Sequence, residues 1–202
     1  MTQCDMQAMM TTELIGSLGA VAGLVVSWVA VTQSRRQPRP VGWFRHDGPL
    51  IAAHALGAWI FVPFGVVWAL AYVALVLGTS IWFMACVCPH CSAFGNRTGL
   101  SAFCYFARHL ATKGERQRFA DAFRRNATVM MVESMLPTVA GLVLICQNWS
   151  NGWRLGYQLF LLASFYAISS YLLPAACRPD CKECDMRSDC PAGSKMMSDG
   201  RK

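Results

Sequence analysis

PLIAAHALGAWIFVPFGVVWALAYVALVLGTSIWFMA, residues 49–85, decides the fold. It contains no Asp, Glu, Lys or Arg. About 20 apolar residues cross a bilayer as a helix, so the run is too long for one ordinary span. Val62-Pro63-Phe64-Gly65, near its middle, is a break, because Pro removes a backbone donor and Gly weakens a helix. Two readings follow. One is a hairpin turning at Pro63–Gly65, with spans over residues 49–62 and 66–85. The other is one long kinked helix, since membrane helices tolerate Pro.

Charge on either side favours the hairpin. Residues 33–48 carry Arg35, Arg36, Arg39 and Arg45. Residues 86–126 carry Arg97, Arg108, Lys113, Arg116, Arg118, Arg124 and Arg125 against Glu115 and Asp121. Basic loops stay on the cytoplasmic side, and an even number of crossings leaves both loops there.

The rest of the chain reads in the same way. Of its 202 residues 54% are hydrophobic and 14% charged, with a mean hydropathy of +0.34; soluble domains carry about 25% charge. Residues 1–13 form an acidic outer head without Lys or Arg, unlike the basic start of a signal peptide. Its Cys4, Met6, Met9 and Met10 offer soft copper ligands or a disordered terminus. Residues 14–32 are a span with Gly19 and Gly23 in a GxxxG and Gly16 and Ala20 at the same spacing, either a packing stripe or a glycine-rich helix. Residues 14–85 thus make an N-terminal membrane unit. Residues 127–176 form a second hairpin, two spans joined by a polar turn at 147–156 that includes the Asn148-Trp149-Ser150 sequon. In the loop over 86–126, Leu100, Phe103, Phe106, Ala107 and Leu110, then Phe119, Ala122 and Phe123, recur at helical spacing. They predict one or two helices along the membrane surface or packed on the bundle. The fold expected is an all-α polytopic membrane helical bundle of four or five spans, in the inner membrane, with a cytoplasmic cysteine-rich module. Nucleic acid is excluded as a partner because the net charge of +7 lies in membrane loops.

Eight of the ten cysteines fall in two short stretches. Cys86, Cys88 and Cys91 are followed by Cys104; Cys177, Cys181 and Cys184 are closed by Cys190-Pro191 in the tail 177–202. The second hairpin puts both stretches on one face. The tail pattern C-x3-C-x2-C-x5-C-P suits an iron–sulfur cluster, whose ligand runs can end in Cys-Pro. Its first three cysteines share the radical-SAM spacing, but a tail this short has no room for the barrel of those enzymes. Zinc pairs the stretches differently: Cys88/Cys91 and Cys181/Cys184 are two C-x2-C knuckles that together make one Cys4 site, with His90 or His109 as substitute ligands. Some of these cysteines are also readable as buried thiols.

Two further residues are ionisable within apolar spans, His54 and Glu133. Such residues are functional by default, here in a proton relay or at a quinone or haem. No second histidine in a predicted span completes bis-histidine haem ligation, and a hydrogen-bonded neutral His54 is the plainer reading. Glu133 is expected within two turns of the cytoplasmic end of its span. Iron–sulfur ligation implies an electron-transfer subunit working between a cytoplasmic donor and quinone or a membrane partner. Zinc implies a scaffold or assembly factor bound to partner proteins. A small transporter rests on His54 and Glu133 alone. No P-loop, nucleophile triad or dinucleotide fingerprint points to group transfer.

Overall fold

The computed structural model describes residues 3–36, 44–91, 94–95, 102–177 and 190. Arg39, Arg97, Cys181, Cys184 and Pro191 lie outside them, as do the side chains of Cys4, Met6, Met9, Arg35 and Arg36. Five helices are long and apolar enough to cross a membrane. They are α1 (Gln3–Arg36), α2 (Phe44–Phe61), α3 (Val66–Cys86), α5 (Phe119–Gln147) and α6 (Gly152–Ala167), the last extended by a π-helical turn over Ile168–Leu172. The short α4 (Ala102–Phe106) lies between α3 and α5. The protein is an all-α membrane bundle. Its outer surface is apolar, with Val67 78% and Trp68 62% exposed, as lipid contact requires.

Residues 49–85 cross twice. A 3₁₀ turn over Val62–Phe64 leads into Gly65, whose φ of 119° an L side chain rarely adopts. The first arm is longer than residues 49–62, because α2 already starts at Phe44. Pro49, the sixth residue of α2, gives up the bond an amide there would make to the Arg45 carbonyl, and the helix continues through it, as membrane helices tolerate.

Helix α1 shows which small residues matter. Glu13, Gly16, Ala20, Ser27, Ala30 and Ser34 are buried at three-, four- and seven-residue steps. Gly16 is needed for close approach, since a Cβ there would lie 2.1 Å from Tyr157 Oη and 2.2 Å from Trp59 Nε1. Gly19 meets nothing within 4 Å, whereas a Cβ at Gly23 would lie 3.3 Å from Ile168 Cδ1, so Gly16, Ala20 and Gly23 carry the contact and Gly19 does not. Ala20 joins Ala53, Leu56, Ile60, Ala140, Leu144, Leu161, Phe165 and Ile168 in the main core. At one end of α1, Trp153 Nε1 donates to Glu13 Oε2 (2.5 Å). At the other, Ser34 Oγ donates to Ala176 O (3.0 Å). These ties make α1 and α6 run in the same direction.

Where one or two loop helices are expected, the pieces are short. Among the described residues, the helical pieces between α3 and α5 are a 3₁₀ turn over Cys88–His90, α4 with a 3₁₀ turn over Ala107–His109 directly after it, and a 3₁₀ turn over Arg116–Arg118. Phe119, Ala122 and Phe123 belong to α5 itself. Phe119, Asn126, Glu133 and Ala140 are buried at seven-residue steps, so one inward stripe runs unbroken from loop to span. Phe123 meets Phe83 of α3 edge-on at 6.3 Å, and Phe119 packs with Val87. At the other end Asn151 Oδ1 accepts from Arg154 N (3.3 Å), and this N-cap starts α6 at Gly152, ahead of the expected Tyr157.

Candidate functional site

The two intramembrane ionisable residues meet. His54 projects from α2 and Glu133 from α5, with His54 Nδ1 3.5 Å from Glu133 Oε1. Helix α3 closes the group with two more side chains. Tyr72 Oη lies 3.2 Å from His54 Nδ1, and Thr79 Oγ1 donates to Glu133 Oε2. Glu133 and Tyr72 are 5% and 4% exposed. Tyr72 is the one fully buried residue of α3; Thr79 and Phe83 also face the bundle, and most of the helix's other residues are exposed.

Because α5 starts at Phe119, Glu133 stands fourteen residues from each helix end, about 21 Å at 1.5 Å per residue. Arg125, the last basic residue before the apolar run, is eight residues away, about 12 Å along the helix. Pro137, one turn later, lacks the amide hydrogen that would bond the Glu133 carbonyl, so the backbone is also polar here. A lone charge at this depth costs about 2.5–3.5 kcal/mol or more. His54 and Glu133 sharing one proton carry no net charge, whichever of them holds it. With the proton on Nδ1, His54 donates to Glu133 or Tyr72; with it on Nε2, Nδ1 accepts from the tyrosine hydroxyl. Tyr72 and Thr79 were not singled out from sequence, although their seven-residue spacing puts both on one face of α3.

Cys146 is exposed in the last turn of α5, and the other described thiols gather at the end of the bundle where α3 finishes, but not as one set. Val87 N bonds Phe83 O at the helix end, and Cys88–His90 form a 3₁₀ turn closed by Cys91 N to Cys88 O (3.0 Å). Gly95, at φ 74°, donates to Cys104 O (2.9 Å), and Asp47 Oδ2 of α2 accepts from Ala102 N (2.8 Å), fixing α4. Cys104 is thereby brought within hydrogen-bonding reach of both Cys88 and Cys91. Its thiol is pushed up to about 12, first by the Cys88 hydrogen bond and then by burial. Cys190 and Cys91 both pack against the Val87–Phe119 cluster, which brings Cys190 of the tail to the first stretch. Cys177 instead hydrogen-bonds His46, and Cys86 opens onto a cavity with His90 and Arg108. His90 Nδ1 is paired with Glu115 O (2.8 Å) and His109 Nε2 with Arg108 Nε (3.2 Å). Among the described residues no three His, Cys, Asp or Glu side chains converge as metal ligands do. The thiols at this end are soft donors in an apolar shell of Phe83, Met84, Phe94 and Phe103.

No protein family, curated protein or solved structure matches the chain.

Proposed function

We propose that this membrane protein is an electron-transfer subunit that works between a donor at the cysteine-bearing face and a membrane-soluble quinone. One observation carries the reading. Helix α3 holds Tyr72 and Thr79 against the buried His54–Glu133 pair and ends in the cysteine turn, with seven residues, about 10 Å, between Thr79 and Cys86. Quinone reduction needs protons delivered inside the bilayer, and a histidine–carboxylate pair able to hold one proton in either of two places is suited to that work.

Cys88, Cys91, Cys104 and Cys190 are the ligands we propose, with Cys181 and Cys184 as further donors from the tail; as they stand no three of the described ones converge, so the metal would have to draw them together. Their chemistry fits thiolate-bound iron, and an iron–sulfur cluster supplies one-electron transfer when bound. The inner membrane is the location that fits, with the cysteines on the cytoplasmic side. Arg108, Lys113, Arg116, Arg118, Arg124 and Arg125 lie at that end, against Arg154 at the other. Partner proteins of a redox complex complete the proposal.

A second reading has its own support. Cys104 approaches two thiols at once, a spacing closer to that around a single ion with Zn–S bonds of about 2.3 Å than to the corners of a cluster. On that reading the protein is a zinc-stabilised scaffold or assembly factor. Anaerobic purification followed by iron, acid-labile sulfide and zinc analysis separates the two. Iron with sulfide, and quinone reduction lowered in Glu133→Gln, is the expected result. Zinc without sulfide overturns the electron-transfer reading.

A further inference from the structure

A cavity of about 1020 Å³ opens beside the cysteine turn, between the ends of α3 and α5. Among the described residues its lining includes Arg108, Arg118 and Arg125 and no Asp or Glu. Arg108 is held in place, its guanidinium 3.9 Å from the Tyr105 ring centroid and its Nη2 donating to Tyr105 Oη (2.5 Å). Arg118 shares its charge with Glu115 at 3.0 Å, which stands outside the lining. The opposite wall is apolar and faces lipid: Trp82 is 58% and Val129 44% exposed. The cavity therefore joins a cationic end to a hydrocarbon end across the membrane boundary.

Asn126 adds a second, independent feature. It lines the cavity, is 6% exposed, and spends its Nδ2 on Ala122 O (2.7 Å). Its Oδ1 is buried without a hydrogen-bond partner among the described residues. A buried acceptor left in this state costs about 1–3 kcal/mol, and a ligand that donates a hydrogen bond removes the cost. Arginines beside an orphan acceptor call for a ligand that is an anion and a donor together.

We propose that the cavity binds a phosphate ester carrying a free hydroxyl, supplied as the headgroup of an anionic phospholipid such as phosphatidylglycerol. The arginines take the phosphate, Asn126 turns its now-enclosed Oδ1 toward the cavity to take the hydroxyl, and the acyl chains leave past Trp82 and Val129.

The test is native mass spectrometry of the full chain, delipidated in detergent and titrated separately with phosphatidylglycerol, phosphatidylcholine, phosphatidic acid and soluble glycerol 3-phosphate. One equivalent of phosphatidylglycerol is expected to stay bound, in preference to phosphatidylcholine. Each of Arg108→Gln and Arg125→Gln should weaken it about fivefold, following roughly 1 kcal/mol per basic residue near a charged surface. Arg124→Gln is the control, because it removes a like charge from the same helix but outside the cavity, paired with Asp121 at 3.9 Å. Asn126→Ala should lower binding of phosphatidylglycerol relative to phosphatidic acid, a ratio that misfolding alone does not change. Equal losses in Arg124→Gln and Arg125→Gln would overturn the site. Equal binding of phosphatidylglycerol and phosphatidylcholine would overturn the charge argument. Tighter binding of glycerol 3-phosphate would replace the lipid with a soluble ligand.

Discussion

Removing His54 and Glu133 singly and together tests whether the buried pair is a real coupling. Their contact is 3.5 Å, and each also touches a residue of α3. Polar side-chain contacts between membrane helices average about 0.6 kcal/mol, with a maximum near 1.7, because the unfolded chain in lipid finds other partners. A charge-assisted pair screened from water belongs at the upper end, so His54→Ala and Glu133→Ala should couple by about 1–1.7 kcal/mol, roughly five- to twentyfold in the unfolding constant. The measurement is a double-mutant cycle on reversible unfolding in lipid–detergent bicelles. Glu133→Gln should keep the Thr79 contact and lose less stability than Glu133→Ala. Additive single losses, within about 0.3 kcal/mol, would refute the coupling.

Three other outcomes follow from the packing. A Cβ at Gly57 would stand 2.8 Å from Tyr72 Oη and 3.1 Å from Pro137 Cγ, so Gly57→Ala should destabilise by about 1–3 kcal/mol in the same assay. Asp47→Ala removes the acceptor of Ala102 N, a charge-assisted bond worth about 1.5–3 kcal/mol, and should speed limited proteolysis between α4 and α5; Asp47→Asn, still an acceptor, should lose less. In chelator-treated protein, Cys104 remains a thiol at pH 8, since its ionisation is pushed up to about 12. Peptide mapping should find its iodoacetamide labelling at least about a hundredfold slower than that of an ordinary cysteine, rising with pH as the thiolate forms.

Much of this architecture is legible in the sequence, and what is not has physical reasons. Pro63 and Gly65 announce the turn because few residues adopt that backbone, and the basic loops set the parity of crossings. The start of α2 is hidden because Arg45 and Asp47 look like loop residues, yet they are 1% and 4% exposed in the folded chain. Charge reads as solvent only until a tertiary partner such as Ala102 N is known. Phe119, Ala122 and Phe123 have the spacing of a surface helix, and their registration with Glu133 and Ala140 becomes meaningful once α3 is beside them. His54 and Glu133 stand out singly as ionisable residues in lipid. Their meeting depends on how α2 and α5 rotate, which one chain's hydropathy does not encode. The site's other half, Tyr72 and Thr79, hides in an apolar run where a hydroxyl attracts little notice.

Packing of Cys190 and Cys91 against one cluster, Val87 and Phe119, sets an order of events during synthesis. The two cysteines are 99 residues apart, and at about 5–20 residues per second the ribosome needs roughly 5–20 s to make the intervening chain. During that interval α5 and α6 still have to enter the membrane, and Val87, beside the Cys88–Cys91 turn, waits without Phe119 and then without Cys190. The turn's thiols are open to oxidants and stray ions for that long. A cell that makes this protein has to tolerate or guard the nascent turn until the last helix closes the bundle.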